Sequence, residues 1–369
     1  MRILVVTPWF PTTGSPVSGV FVRREAEALA AMHEVTVLHL DWQRSSPLGT
    51  EVSAAYEYHH ESLDRRDPRA YARARRIVAD AARDHDVVHT HALTGLIPWL
   101  LGRPARNRAW VHSEHWSGLS APETLALGER CALAILGPRL ARPDAVVAES
   151  SRLAAAIARF RAAAIDLVPC VVDTPAAVES RSEDAIHLIG VGAITARKGP
   201  LLAVETLAEL VSRGLEATLT WVGEGPQRER MLQEASDRGV LDRVRLTGRL
   251  DDDGVSRELN AANMFLLPTQ GDNFCIVAAE ALAHGRPIVS GAATGAVDYA
   301  DPSVSRFVTE QTGVAYANAV EDLARATAEL AASQIASTVT DRFTPTTVAT
   351  ALTAIYTRLA PRNGPEVTR

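Results

Sequence analysis

Cysteine is scarce in this chain, at 3 of 369 residues. Cys131, Cys170 and Cys275 stand far apart and share no CxxC spacing, which argues against a disulfide framework or zinc knuckle and fits a reducing compartment. Excess positive charge is lacking as well. The formal net charge is −6, so no global basic field draws the chain to nucleic acid. Nor is there a membrane-length hydrophobic run. The apolar start Met1-Arg2-Ile3-Leu4-Val5-Val6 stops at Thr7-Pro8, too short for a signal-peptide core. The longest apolar stretch, Ala92 to Leu101, is interrupted by Gly95 and Pro98 and reaches about half a membrane span. Beyond Ala-rich helical stretches, repeats and low-complexity segments are missing. These absences predict a globular protein of the cytoplasm.

What is present is an apolar content of 47%, enough for a sizeable core, in a chain long enough for about two domains. Short runs rich in Val, Ile and Leu alternate with longer segments of helical period. The runs Ile3–Val6, Val35–Leu40, Val87–His89, Trp110–His112, Ala145–Ala148 and Asp166–Val168 form one series. Ile186–Val191, Thr218–Val222, Val244–Leu246, Phe265–Leu267 and Pro287–Val289 form a second. Helices are predicted over Val20–Ala31, Arg69–Ala82, Ser151–Arg161, Leu201–Val211, Gln227–Arg238 and Ile276–His284. Continuous apolar strands between helices predict parallel sheets covered on both faces. Pro169–Asp184, with its polar end Glu179-Ser180-Arg181-Ser182-Glu183-Asp184, reads as a linker. The expectation is an α/β chain of two doubly wound lobes, 1–175 and 176–369, with a cleft between them. A last helix from Thr344-Pro345 to about Leu359 packs on either lobe.

The most informative stretch runs from Leu266 to Pro287. A strand ends at Pro268, a polar loop Thr269-Gln270-Gly271-Asp272-Asn273-Phe274 follows, and a helix begins near Cys275. The amides that open such a helix suit a diphosphate. Asp272 lies in the loop, Glu280 lies in the helix, and seven residues separate them. A carboxylate there suits ribose hydroxyls.

This stretch resembles the carboxylate-x7-carboxylate signature of retaining glycosyltransferases of GT-B fold, notably glycosyltransferase family 4. The resemblance extends through Val191-Gly192-Ala193-Ile194-Thr195-Ala196-Arg197-Lys198-Gly199, Val222-Gly223-Glu224-Gly225-Pro226, Leu246-Thr247-Gly248-Arg249, Thr294-Gly295-Ala296-Val297-Asp298 and Thr312-Gly313-Val314. It implies that Glu280 holds the donor ribose, that Asp272 faces the donor sugar, and that Lys198 neutralises the leaving diphosphate. It further implies that amides near Phe274, Cys275 and Ile276 take phosphate oxygens, while Gly248 and Arg249 flank the base. Two positions depart from the family pattern: Asp272 stands where Glu is usual, and Ala193 stands where Arg usually follows the glycine. Arg197, beside Lys198, is the candidate for the missing charge.

In the N-terminal half, Gly19 is the surviving member of the family's glycine pair ahead of a helix, and His115 in Ala109-Trp110-Val111-His112-Ser113-Glu114-His115-Trp116 matches the family's histidine near the cleft. The resemblance assigns His115 a hydrogen bond to a sugar hydroxyl. The implied activity is retaining transfer of a sugar from a nucleoside-diphosphate donor, UDP-linked first and GDP-mannose second, to a hydroxyl of a small-molecule or lipid acceptor. No cofactor or essential metal is implied. A sugar-nucleotide epimerase of the same fold and a non-catalytic sugar-nucleotide binding protein are the alternatives. Arg65, Arg66, Arg69, Arg73, Arg76 and Arg83 make a basic stretch, but Asp67, Asp80, Asp84 and Asp86 interrupt it, so it reads as a solvated face rather than a membrane contact. His39, His59, His60, His85, His89 and His91 are scattered and lack an HExxH frame. Only His89-Thr90-His91 pairs two at a strand end, and no metal is expected. High Ala and Arg usage points to a GC-rich genome of actinobacterial kind. The acceptor loops Pro8–Ser18, Arg44–Arg69 and Ser117–Glu123 carry no readable signature.

Overall fold

The computed structural model describes residues 1–12, 14–15, 18–42, 55–181 and 185–359. Positions 13, 16–17 and 44–54 of the two long N-terminal loops, and Ser182-Glu183-Asp184 of the linker string, lie outside the described residues. The chain forms two compact units, Met1–Val171 with Phe343–Arg369, and Val172–Arg342. Among the described residues, no helix is long and apolar enough to cross a membrane.

The first unit contains β1 (Arg2–Thr7), α1 (Val20–Ala30), β2 (Glu34–Asp41), β3 (Glu57–Ser62), α2 (Pro68–Ala81), β4 (Val87–His91), β5 (Ala109–Glu114), α3 (Ser117–Ser120), α4 (Leu127–Leu136), β6 (Ala145–Ala148), α5 (Ser151–Ala158) and β7 (Ile165–Leu167). The second contains β8 (Ile186–Val191), α6 (Pro200–Ser212), β9 (Ala217–Val222), α7 (Arg228–Asp237), β10 (Val244–Gly248), α8 (Asp252–Ala261), β11 (Met264–Leu267), α9 (Ile276–Ala283), β12 (Ile288–Gly291), β13 (Ser305–Val308), α10 (Gly313–Ala326) and α11 (Ala332–Ser337). The last helix, α12 (Pro345–Leu359), returns to the first unit.

Seven parallel strands in the order β3-β2-β1-β4-β5-β6-β7 form the first sheet. Successive strand side chains face opposite ways, and both faces are buried. Leu4, Val6, Leu38 and Val88 join Ala70, Ala74 and Val78 of α2 in one core. Ile3, Val5, Val37 and Val111 join Val22, Ala26 and Leu29 of α1 and Val348, Leu352 and Ile355 of α12 in the other. The sequence left the place of α12 open between two lobes. Its apolar stripe, the Arg358–Asp166 ion pair at 2.6 Å and the His33–Thr353 hydrogen bond at 2.7 Å fix it on the first sheet. Arg73 pairs with Glu61 at 2.6 Å and Arg83 with Asp80 at 3.0 Å, so acids neutralise part of the α2 basic face.

The second sheet has six parallel strands in the order β10-β9-β8-β11-β12-β13. Its order reverses between β8 and β11, the place where a doubly wound sheet opens a crevice at its carboxyl ends. Local capping chemistry sets several helix starts. Asp67 accepts from the Arg69 amide at 2.9 Å, Asp251 from the Gly254 amide at 2.8 Å and Thr312 from the Ala315 amide at 3.2 Å. Arg286, fully buried, closes the other end of α8 by donating to the Leu259 and Asn260 carbonyls. β3 and β13 were not anticipated from the sequence. Both are edge strands, and β3 reads Glu-Tyr-His-His-Glu-Ser, a polar edge with no apolar run to betray it.

Candidate active site

Five loops meet at the carboxyl ends of β8 to β12. The loop after β8 makes a single turn of 3-10 helix, Ala196–Lys198, and ends at Gly199 in the left-handed region, φ 71°. A Cβ on Gly199 would stand 2.2 Å from the Pro268 carbonyl oxygen, so glycine alone lets this loop lie against the end of β11. The Gln270 amide then donates to the Arg197 carbonyl at 2.8 Å, and the Thr269 hydroxyl reaches it at 3.1 Å. Across this seam Lys198 Nζ forms an ion pair with Asp272 Oδ2, and Arg197 donates to the Gly271 carbonyl. The pair therefore bridges the loops of β8 and β11, the two strands on either side of the switch point.

Asp272 Oδ1 accepts from the Cys275 amide at 3.0 Å. Burial pushes the Asp272 carboxyl up, but Lys198, Arg197 and the Cys275 amide outweigh it and hold the group below its ordinary value. It is an anion held between two cations at the start of α9. Cys275 itself adopts φ 63°, a strained position for a side chain with a Cβ. Its thiol is buried and pushed up to about 12. Because Asp272 occupies the Cys275 amide, the remaining amides of the first turn, those of Ile276 and Val277, are the ones without intrahelical acceptors. Phe274 is buried against Tyr299, ring centroids 5.0 Å apart. Glu280 lies buried one turn into α9. On the far side of β8, Gly223 donates to the Gly248 carbonyl at 2.8 Å, which brings the loops of β9 and β10 together, with Arg249 exposed next to them. Arg197, Lys198, Asp272 and Cys275 are thus joined directly, with Phe274 and Ile276 beside them, whereas Gly248 and Arg249 stand at the carboxyl end of β10 and Glu280 lies buried within α9.

Gly19 and His115 belong to the first unit. Gly19 caps α1 at φ 69°, and a Cβ there would stand 2.3 Å from the Trp9 carbonyl oxygen. Its close approach is to the protein's own backbone. His115 has both ring nitrogens engaged: Nδ1 with Glu149 at 3.1 Å and Nε2 with His91 at 3.2 Å. Burial pulls His115 down, yet Glu149, Glu25 and Glu114 outweigh it and raise it above the ordinary histidine value. A sugar hydroxyl would have to replace one of those partners. Beside it, α1 brings Glu25 to His89 and His91, a carboxylate that no local spacing connects with the His89-Thr90-His91 pair because 63 residues separate Glu25 from His89.

Both halves of the chain match known families. Residues 18–175 match the family described as Glycosyltransferase Family 4, and residues 185–333 match Glycosyl transferases group 1. The chain belongs to the family-4-like glycosyltransferases of GT-B fold. It is 29% identical over 237 residues to the 2-deoxystreptamine glucosyltransferase of Streptomyces kanamyceticus, an alignment spanning 58% of this chain and 61% of that protein. The chain therefore spans less than two thirds of that relative. The fold superposes on sucrose-phosphate synthase from Thermosynechococcus elongatus with a TM-score of 0.78 at 20% identity, covering 97% of this chain and 99% of that one. It also superposes on Anabaena HepE, solved with UDP and glucose, with a TM-score of 0.72 at 16% identity over 97% and 100%.

Proposed function

We propose that this chain transfers a sugar, with retention of anomeric configuration, from a nucleoside-diphosphate sugar to a hydroxyl of an acceptor. The observation that carries the reading is the Lys198–Asp272 pair at the β8/β11 switch point, with Arg197 beside it and the α9 amides next to it. Departure of a diphosphate builds negative charge on its oxygens, and fixed cations and amides aimed there stabilise that charge. Lys198 would leave Asp272 for the diphosphate, with Arg197 covering the position where Ala193 offers no charge. The Ile276 and Val277 amides would take phosphate oxygens, Glu280 the ribose hydroxyls, and the backbone at Gly248 and Arg249 the base. With this much positive potential supplied by the protein, no dication is required at the diphosphate. A UDP-linked donor is favoured by the UDP-bound HepE neighbour, with GDP-mannose second. Kinship to a 2-deoxystreptamine glucosyltransferase favours a small polyhydroxylated acceptor over a lipid.

Calorimetric titration with UDP, GDP, ADP, CDP and dTDP, with and without magnesium, tests the donor site. One diphosphate should bind in magnesium-free buffer. Failure of all five, with and without a polyol acceptor, refutes the assignment. Once the donor is known, the proton coupling of the product's anomeric centre reports retention. Isomerised donor formed without acceptor would favour an epimerase, and tight binding with no product from any acceptor would favour a binding protein.

A further inference from the structure

His89 and His91 lie two residues apart on β4, so both rings project from one face of the sheet. α1 crosses that face and presents Glu25 to them. Glu25 Oε1 stands 3.6 Å from His89 Nδ1 and 3.4 Å from His91 Nε2, and the three atoms all lie within 4.8 Å of one another. Both histidines are fully buried and the Glu25 side chain is 13% exposed. Neither Glu25 Oε1 nor His91 Nε2 has a hydrogen-bond partner. Buried polar atoms are almost always satisfied, so two unsatisfied ligand atoms facing each other point to an occupant.

We infer that Glu25, His89 and His91 form a binding site for one divalent transition-metal ion of the zinc type. Ligands about 2.1 Å from a tetrahedral ion stand roughly 3.4 Å apart, and the two separations to Glu25 already match that spacing. The far nitrogens are braced as metal-binding imidazoles require. His89 Nε2 meets Ser113 Oγ at 2.8 Å. His91 Nδ1 meets His115 Nε2 at 3.2 Å, and His115 Nδ1 in turn meets Glu149 Oε2 at 3.1 Å. With protons on His89 Nε2, His91 Nδ1 and His115 Nδ1, each ring donates outward, and the lone pairs of His89 Nδ1 and His91 Nε2 face Glu25. Tyr356 Oη, 2.7 Å from His89 Nδ1, occupies that lone pair when no ion is bound. A solvent ligand would complete the tetrahedron, as in zinc sites built from three protein ligands. Two imidazoles and a carboxylate select zinc-like ions over magnesium or calcium. The three ligands Glu25, His89 and His91 take no part in the proposed donor site, so the inference stands apart from the proposed transfer.

Tag-free full-length protein, stripped with chelator, is titrated with Zn²⁺ against a chromophoric competitor and with Co²⁺ followed by visible absorption. One equivalent of Zn²⁺ is expected, with tetrahedral Co²⁺ bands and no thiolate charge transfer. Glu25→Gln and His91→Gln should each abolish stoichiometric binding. Glu149→Gln and Ser113→Ala, which leave the ligands in place, should weaken it by about 10- to 100-fold. Circular dichroism identifies any variant that fails to fold, and the two outer variants then carry the test. No bound equivalent in the wild type, or binding untouched by all four substitutions, overturns the site. Thiolate charge transfer would overturn it too, by placing the ion on cysteine.

Discussion

Lys198 is the sole lysine of the chain, against 37 arginines. A compact ammonium whose three donors rotate suits a group that exchanges one anion, Asp272, for another, a diphosphate. Replacing Lys198 by Ala should lower transfer by about 100- to 1000-fold, read as kcat/KM with the donor found by titration. The same count offers a chemical test. Reductive methylation can modify only two amines, the N-terminus and Lys198, and bound nucleoside diphosphate should protect the second, as seen by peptide mass spectrometry. Equal labelling with and without nucleotide would remove Lys198 from the donor site. By its resemblance, Asp272 reads in the sequence as an acid facing the donor sugar. In the folded chain both its carboxylate oxygens are engaged, Oδ1 by the Cys275 amide and Oδ2 by Lys198. Sequence alone could not reveal that double engagement, because the lysine comes from 74 positions away.

At the scale of elements, the loops that build the site depend on where the chain lacks a Cβ. Gly199 and Gly239 have nearly the same φ, 71° and 69°, but a Cβ on Gly199 meets the Pro268 carbonyl at 2.2 Å while one on Gly239 meets nothing within 4 Å. Gly239→Ala should cost only the left-handed penalty, about 1 kcal/mol. Gly199→Ala should cost about 3 kcal/mol or more, because the β8 and β11 loops must also part. Thermal melts of the two variants decide between conformational strain alone and strain plus steric overlap. Donor affinity should fall only in Gly199→Ala. Strands and helices with a strong period were readable: β1 as an unbroken apolar run, β2, β8 and β9 as Val-, Leu- or Ile-rich runs broken only by Thr, His or Gly, and α12 from its Thr344-Pro345 start. The polar edge strand β3, Glu-Tyr-His-His-Glu-Ser, and the short edge strand β13, Ser-Arg-Phe-Val, were not, because neither carries an apolar run to mark it.

Across the whole molecule, pH acts through histidines that folding keeps neutral. His39 is buried, with Tyr58 Oη at 3.0 Å on Nδ1 and the Pro8 carbonyl as a further partner. Burial and the neighbouring His60 pull it down to about 4, with Asp41 opposing. His284, bonded to Ser256 and to the Glu280 carbonyl, is lowered by burial too. A base lowered in the folded state takes up its proton more readily when unfolded, so stability is retained above the unfolded value and lost as pH falls towards the folded one. For His39 that window runs from 6.5 down to about 4, and it is worth about 3 kcal/mol. Denaturant unfolding of His39→Gln at a series of pH values should show a shallower acid slope than the wild type. An unchanged slope would mean that His39 does not drive it.

The apolar strands with their intervening helices, the two rounds of winding and the acid-loop-acid string followed from local pattern, since apolar period, caps and glycine positions act over a few residues. Packing alone decided the rest. It brought α12 back to the first sheet, set Lys198 against Asp272, closed both nitrogens of His115 on Glu149 and His91, and carried Glu25 to His89 and His91. Each of these joins groups distant in sequence, and such a contact depends on how sheets and helices stack rather than on any spacing along the chain.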